Sequence, residues 1–247
     1  MIKTILPCVI GLGYVGLPVF LRLQARFLSI GFDTDRNRVK NLNKRIDTNK
    51  EFNKKQLILK NRSSLISDKN KIKKSNFFIV TVPTPITKTD KPDLSYLINA
   101  SVLIAKNLKK NDLVVYESTV YPGTTKFLIQ NYLNKYSKLK EGKDFFVGYS
   151  PERVNPGDTK HSISKIKKIL AISAPEKIKI KVRKVYNQIS KKLILTNSIE
   201  SAETAKVIEN IQRDLNIAFI NDILIFADKM NYNFDEILRL ASTKWNF

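Results

Sequence analysis

Glycine is scarce in this chain, with 8 in 247 residues, and there is one cysteine and one histidine. A single cysteine excludes an internal disulfide, and a single histidine leaves no metal cluster of the usual zinc type. Cys8 falls inside an apolar run, where it reads as a small buried side chain and not as a nucleophile. No apolar stretch approaches the roughly 18 residues of a membrane-spanning helix. The opening Met1-Ile2-Lys3-Thr4 runs directly into a core segment with no signal-peptide pattern. The expected setting is a reducing cytoplasm without a membrane partner. Acidic residues are also few, 22 against 44 lysines and arginines, for a net charge of +22. The lysines are spread (Lys40, Lys44, Lys109, Lys110, Lys191, Lys192) and are not gathered on a helix-turn-helix, zinc finger or RNP-like aromatic pattern, so no nucleic-acid partner is expected. Such a field instead favours small anionic ligands.

The few glycines are placed with purpose. Gly11, Gly13 and Gly16 form a GxGxxG pattern, which chance placement in so glycine-poor a chain gives at about 0.8%. Ile5 to Ile10 before it reads as a buried strand. Tyr14 to Phe27 carries apolar residues at helical spacing, and Leu28 to Asp33 reads as a second strand. In this setting Gly11 permits the tight turn, Gly13 lets backbone approach a pyrophosphate, and Gly16 lets helix pack on strand. The helix start stabilises the diphosphate. Asp33, about 20 residues on, is placed to accept from an adenosine ribose and to repel a 2′-phosphate. At about 4 Å that repulsion is about 1 kcal/mol in water and about 4 kcal/mol at an effective dielectric of 20. Arg36 and Arg38 offset part of it. NAD is favoured over NADP.

Beyond Asp33 the spacing predicts a helix over 36–44 and a short strand over 63–67. A strand over 77–82 runs into Pro83-Thr84-Pro85, followed by a helix over 94–108 and a strand over 113–117. Pro122 is expected to open a helix towards Tyr136. Further strands are expected over 145–149, 168–173 and 193–196, with a helix over 175–190, a long helix over 200–231 and a last one over 234–241. Alternation of this kind implies an α/β fold with a doubly wound parallel sheet of Rossmann type, followed by a long helix. The division expected is residues 1–198 for the dinucleotide-binding domain and 199–247 for the start of a helical one. Ligands in such sheets sit beyond the carboxyl ends of the strands. Gly11, Thr84, Ser118-Thr119 and Ser150-Pro151-Glu152 all fall there. Lys206 and Asn210, four apart on the long helix, face the same way.

These segments, Gly11 to Pro18, Val82-Pro83-Thr84-Pro85, Glu117 to Thr125, Ser150 to Asp158, Lys206 to Asn210 and Thr243-Lys244-Trp245-Asn246-Phe247, resemble the amino-terminal part of the UDP-glucose/GDP-mannose dehydrogenase family. The subgroup most resembled oxidises UDP-N-acetylhexosamines for surface polysaccharide synthesis. The resemblance implies oxidation of a sugar C6 alcohol to a carboxylate by two successive hydride transfers to NAD, through a cysteine-bound thiohemiacetal and thioester. It implies cofactor contacts from Tyr14, Val15, Asp33, Arg38, Thr84, Ser118 and Thr125 around the glycine loop. Thr119 would hold the reacting alcohol or a water, and Glu152 would act as acid/base in thioester hydrolysis. Arg153, Val154 and Arg213 would line the sugar-nucleotide site. Lys206, with Asn210 beside it, would stabilise the developing oxyanion while touching substrate, and His161 reads as a loop or substrate contact.

The family's cysteine follows the Thr-Lys-Trp-Asn-Phe segment. The resemblance therefore leads one to expect that these residues lack the nucleophile, the remainder of the central helical region and the UDP-binding carboxy-terminal domain, as in a fragment or a truncated or split gene. The alternative reading is a non-catalytic NAD-binding fragment or pseudoenzyme. A hydroxyacid-type dehydrogenase is disfavoured by the Ser-Pro-Glu-Arg and Trp-Asn-Phe segments. The helix from Glu200 carries more apolar surface than a lone domain covers, and in the family it forms a dimer core, so a homodimer is expected of the full-length protein.

Overall fold

The computed structural model describes residues 4–153 and 166–246. Strands β1 (Pro7–Ile10), β2 (Ile30–Phe32), β3 (Ser64–Ile66), β4 (Phe77–Val80), β5 (Leu113–Tyr116), β6 (Phe146–Tyr149), β7 (Lys167–Ile172) and β8 (Lys192–Thr196) form one sheet. Its order is β3-β2-β1-β4-β5-β6-β7-β8. The first six strands are parallel, with the strand-order reversal between β1 and β4 that opens a ligand crevice in doubly wound sheets.

Side chains alternate across the short central strands, and each face has its own helices. Val9, Ile79 and Val115 point to a cluster with Leu17, Phe20 and Leu23 of α1 (Gly16–Leu23) and with Val182, Val185 and Ile189 of α6 (Glu176–Ile189). Ile10, Phe78, Val80 and Val114 point the other way, to Leu97, Ala100 and Ile104 of α3 (Ser95–Ala105). Cys8 lies in this second cluster. It is fully buried, and burial pushes its thiol up to about 12 against a hydrogen bond with Ser75. The remaining elements of this part are α2 (Arg36–Asn43), capped by Asp35, and a short 3₁₀ turn (Lys69–Lys74). A helical run follows as α4 (Thr124–Leu128), a π turn (Ile129–Leu133) and α5 (Asn134–Ser137).

The doubly wound, predominantly parallel sheet and the long helix after it are as the sequence leads one to expect, with one refinement and one correction. Within the sheet β7 runs antiparallel to β6, pairing Gly148 with Ile172 and Tyr149 with Ala171. Parallel neighbours need a crossover, usually helical, whereas antiparallel ones accept a direct connection. Alternation of strand and helix alone does not reveal such a reversal. Pro122 also does not open a helix. Gly123, at φ +91°, is the cap of α4, and Thr124 is its first residue.

The chain divides into two compact units, Met1–Thr204 and Ala205–Phe247. The second holds most of α7 (Ile199–Lys229) and α8 (Phe234–Ala241), whose first turn is capped by Asn233. No helix among the described residues is long and apolar enough to cross a membrane.

Candidate functional site

The loop after β1 is built by contacts that tolerate no side chain at two places. Gly11 has φ +94°, and a Cβ there would lie 2.9 Å from the Thr81 carbonyl oxygen. At Gly16 a Cβ would fall 1.8 Å from the Gly11 carbonyl oxygen and 2.4 Å from Thr81 Oγ1. Thr81 supports the turn by donating to the Ile10 and Gly11 carbonyls at 3.1 and 2.9 Å. Gly13 differs, since a Cβ there would meet nothing within 4 Å. Its face is open, Tyr14 beside it is half exposed, and no side chain caps the start of α1 at Val15. An open backbone face at an uncapped helix start is the cradle that a diphosphate fits.

Two acidic and basic neighbours hold this loop by its next peptide. Asp33 Oδ2 accepts the Leu12 N–H at 2.7 Å, and Arg38 Nε donates to the Leu12 carbonyl at 2.9 Å. Asp33 Oδ1 accepts the Asp35 N–H at 2.9 Å. Arg38 is buried by its ion pair with Asp47, 2.6 Å away, and by Thr48 Oγ1 at 2.9 Å, while its Nη2 has no hydrogen-bond partner in the structure. Burial alone would push the Asp47 carboxyl up. The Arg38 guanidinium and the N–H groups of Asn49 and Glu51 outweigh it and hold the carboxyl below its ordinary value. Sequence reasoning missed Asp47, which carries no motif of its own.

The segments that follow the paired strands β4 and β5 are tied together on one side of the crevice. Thr84 Oγ1 donates to the Thr119 carbonyl at 2.7 Å, and Ser118 Oγ donates to the Val82 carbonyl at 2.6 Å. Ser118 is buried, whereas Thr119 is exposed on the rim. Thr125, at the start of α4, is buried with its Oγ1 unpartnered. Its N–H donates to Glu203 Oε1 at 2.9 Å, and the Gly123 N–H donates to Glu203 Oε2 at 2.7 Å. Glu203 thus serves as a remote cap for α4, which sequence order gave no means of finding.

Beyond β6 lies a buried charge cluster. Glu152 Oε1 accepts the Arg153 N–H at 2.7 Å, and Arg153 Nη1 donates to the Lys167 carbonyl at 3.3 Å. Lys168 Nζ lies 3.2 Å from Glu152 Oε2 and 2.8 Å from Glu117 Oε2, while Tyr186 donates to Glu117 Oε1 at 2.6 Å. Burial pushes the Glu117 carboxyl up against the pull of Lys168, and lifts the Tyr186 hydroxyl further with Glu117 beside it. Burial would lower the Lys168 ammonium, but the two carboxylates outweigh it and hold it above its ordinary value. Glu117, Lys168 and Tyr186 were not singled out from sequence; a lysine inside an apolar strand was the one available signal.

The structure therefore brings Gly11, Gly13, Thr84, Ser118, Thr119 and Glu152 to the carboxyl ends of β1, β4, β5 and β6. Val154 and His161 lie outside the described residues. In the second unit Lys206 is buried, Asn210 is half-buried, and Asn210 accepts from Arg213 Nη2 at 2.7 Å.

Residues 5–190 match the family model for the UDP-glucose/GDP-mannose dehydrogenase family, NAD binding domain, and residues 200–247 match that family's central domain. The chain is 44% identical over 246 residues to UDP-N-acetyl-D-glucosamine 6-dehydrogenase of Pseudomonas aeruginosa, covering 99% of this chain and 58% of that one. It is 45% identical over 241 residues to Protein CapL of Staphylococcus aureus, covering 97% and 56%. Among solved structures, that of the UDP-D-ManNAc dehydrogenase of Pyrococcus horikoshii superposes with a TM-score of 0.90 at 32% identity, covering 98% of this chain and 59% of the other. The chain thus spans less than two thirds of the length of these relatives. By these matches and by the dinucleotide cradle at its first strand, the chain belongs to the UDP-glucose/GDP-mannose dehydrogenase family.

Proposed function

We propose that this chain provides the cofactor half of an NAD-dependent nucleotide-sugar 6-dehydrogenase, which oxidises the C6 alcohol of a UDP-N-acetylhexosamine to the uronic acid in two hydride transfers. The observation that carries this reading is the meeting of the glycine cradle, the Ser118-Thr119 segment and Glu152 on one strand-end rim, in a chain 44% identical to a UDP-N-acetyl-D-glucosamine 6-dehydrogenase. NAD, when bound, accepts the hydride. Its diphosphate fits the open face at Gly13 and the uncapped start of α1, with Tyr14, Val15, Thr84, Ser118 and Thr125 around it. The unpartnered Arg38 Nη2 offers a donor on the adenosine side.

The chain's own groups divide the remaining work. Exposed Thr119 holds the reacting alcohol or a water by its hydroxyl. Glu152 takes a proton from the water that attacks the thioester. Lys206 and Asn210, one helical turn apart, supply an ammonium and a carboxamide to a developing oxyanion, an arrangement worth a few kcal/mol of barrier. Arg153, Val154 and Arg213 contact the sugar nucleotide. Residues 1–198 serve as the cofactor domain, and residues 199–247 begin the helical domain.

On α7, Ile208, Ile211, Leu215 and Phe219 are each more than half exposed. A second copy covers this stripe in the whole protein, so light scattering should give twice the monomer mass. The activity is tested by following NADH with the whole gene product. UDP-N-acetylglucosamine or its galacto epimer should yield two NADH per sugar. Absence of NADH with every UDP-N-acetylhexosamine, from protein that binds NAD, overturns the reading.

A further inference from the structure

Glu152 is not an isolated carboxylate at the end of a strand. The antiparallel register of β6 and β7, continued three residues past the Tyr149–Ala171 pair, sets Glu152 opposite Lys168. On the other side, β5 pairs in parallel with β6 up to Tyr116 and Tyr149, so Glu117 is the next residue along. A strand from each side therefore delivers one charged group to the same point. Lys168 Nζ lies between the two carboxylates, at 2.8 Å from Glu117 and 3.2 Å from Glu152. Glu117 is held in turn by the Tyr186 hydroxyl from α6.

A buried ion pair of this kind rarely adds net stability, because desolvation offsets its Coulomb attraction. Its presence calls for another role. Glu152 has one oxygen on the Arg153 N–H and the other on an ammonium, so its rotamer and its ionised form are both favoured. Glu117, fully buried and anchored by Tyr186, prevents Lys168 from turning to solvent.

We propose that Lys168 is a positioning residue: anchored on Glu117, its ammonium holds Glu152 at the strand-end rim as an aligned carboxylate ready to accept a proton. This rests on the reading of Glu152 as the acid/base group. It adds a lysine whose part is exerted through another side chain.

The test reads the carboxyl directly, by carbon-13 NMR titration of Glu152 in the full chain. Removing a cation at this distance from a carboxylate raises the carboxylate's proton affinity by about tenfold or more. Lys168→Met should therefore raise the proton affinity of the Glu152 carboxylate at least tenfold, and Lys168→Arg should restore most of the wild-type value. A Glu152 titration unchanged in folded Lys168→Met overturns the proposal. Should that variant not fold, coupling is reciprocal, and Glu152→Gln must lower the Lys168 ammonium's proton affinity by a similar factor. An unchanged Lys168 titration in Glu152→Gln overturns it equally. Neither measurement depends on turnover, so failure here leaves the assigned reaction to be judged by the NADH assay.

Discussion

Glu203 caps Thr125 from 78 residues away: its Oε1 accepts the Thr125 N–H at 2.9 Å, while Oε2 accepts the Gly123 N–H at 2.7 Å. A helix start normally draws its cap from the preceding residue, but Gly123 has no side chain to offer. The carboxylate therefore comes from the first turns of α7, where it also meets the positive end of α4. Glu203→Ala leaves the buried Thr125 N–H and the half-buried Gly123 N–H without acceptors and should cost about 1–3 kcal/mol. Urea denaturation monitored by circular dichroism checks this; a midpoint equal to wild type would show that water replaces the cap without loss.

The three glycines of the first loop should separate stability from binding. Gly16→Ala places a Cβ 1.8 Å from a backbone oxygen, so the protein should unfold at lower temperature or fail to fold. Gly13→Ala meets nothing within 4 Å, so its melting temperature should stay near wild type. Its methyl group occupies the face offered to the diphosphate, and NAD affinity should fall at least tenfold. Calorimetric titration with NAD, beside a thermal melt, tests both; unchanged NAD affinity in Gly13→Ala would move the diphosphate elsewhere.

Asp33 carries two tasks whose loss can be told apart. It fixes the Leu12 N–H at 2.7 Å, and its charge opposes a 2′-phosphate. Asp33→Ser removes the charge repulsion of about 1–4 kcal/mol. NADP should then bind better relative to NAD by about tenfold, while NAD itself binds more weakly because the loop has lost a tether. Fluorescence titrations with both cofactors measure the ratio; an unchanged ratio refutes the electrostatic account.

Acid should release the Arg38–Asp47 clamp. The folded state holds the Asp47 carboxyl below its ordinary value, so its contribution is complete above the unfolded carboxyl's pKa of about 4 and is lost as pH falls through the lower folded value. Asp47→Asn, which leaves the buried guanidinium uncompensated, should cost about 3 kcal/mol near neutrality. The gap to wild type should narrow below about pH 4. Stability curves from pH 7 to 3 decide; a gap constant across that range removes the ion pair as its cause.

The glycine loop and the central strands were readable because local rules govern them. Val9, Ile79 and Val115 are apolar for one face of the sheet, Ile10, Val80 and Val114 for the other, and two-sided burial makes such runs conspicuous. Helix ends were less so: Tyr14 to Phe27 promised a longer α1 than Gly16–Leu23, since apolar spacing continues where the regular helix gives way to turns, with Ala25 bonded to Arg22 and Arg26 to Leu23. What could not be read were pairings between distant positions. Lys168 with Glu117, Arg38 with Asp47 and Glu203 with Gly123 each depend on where the sheet order places a residue. Even Asp33 and Arg38, noted as cofactor contacts, have a further part in gripping Leu12 that only their relative placement reveals.

The reversed strand β7 changes where function can be sought in a doubly wound sheet. In its parallel members the first residues of a strand lie at the edge remote from ligand, and only the last ones reach the crevice. Turning β7 over exchanges those roles, so its entry residue Lys168 arrives beside Glu152 while its exit at Ile172 points away. A conservative change at the start of this strand, such as Lys168→Arg, therefore alters a group in contact with Glu152, whereas one at Ile172 falls at the opposite edge of the sheet.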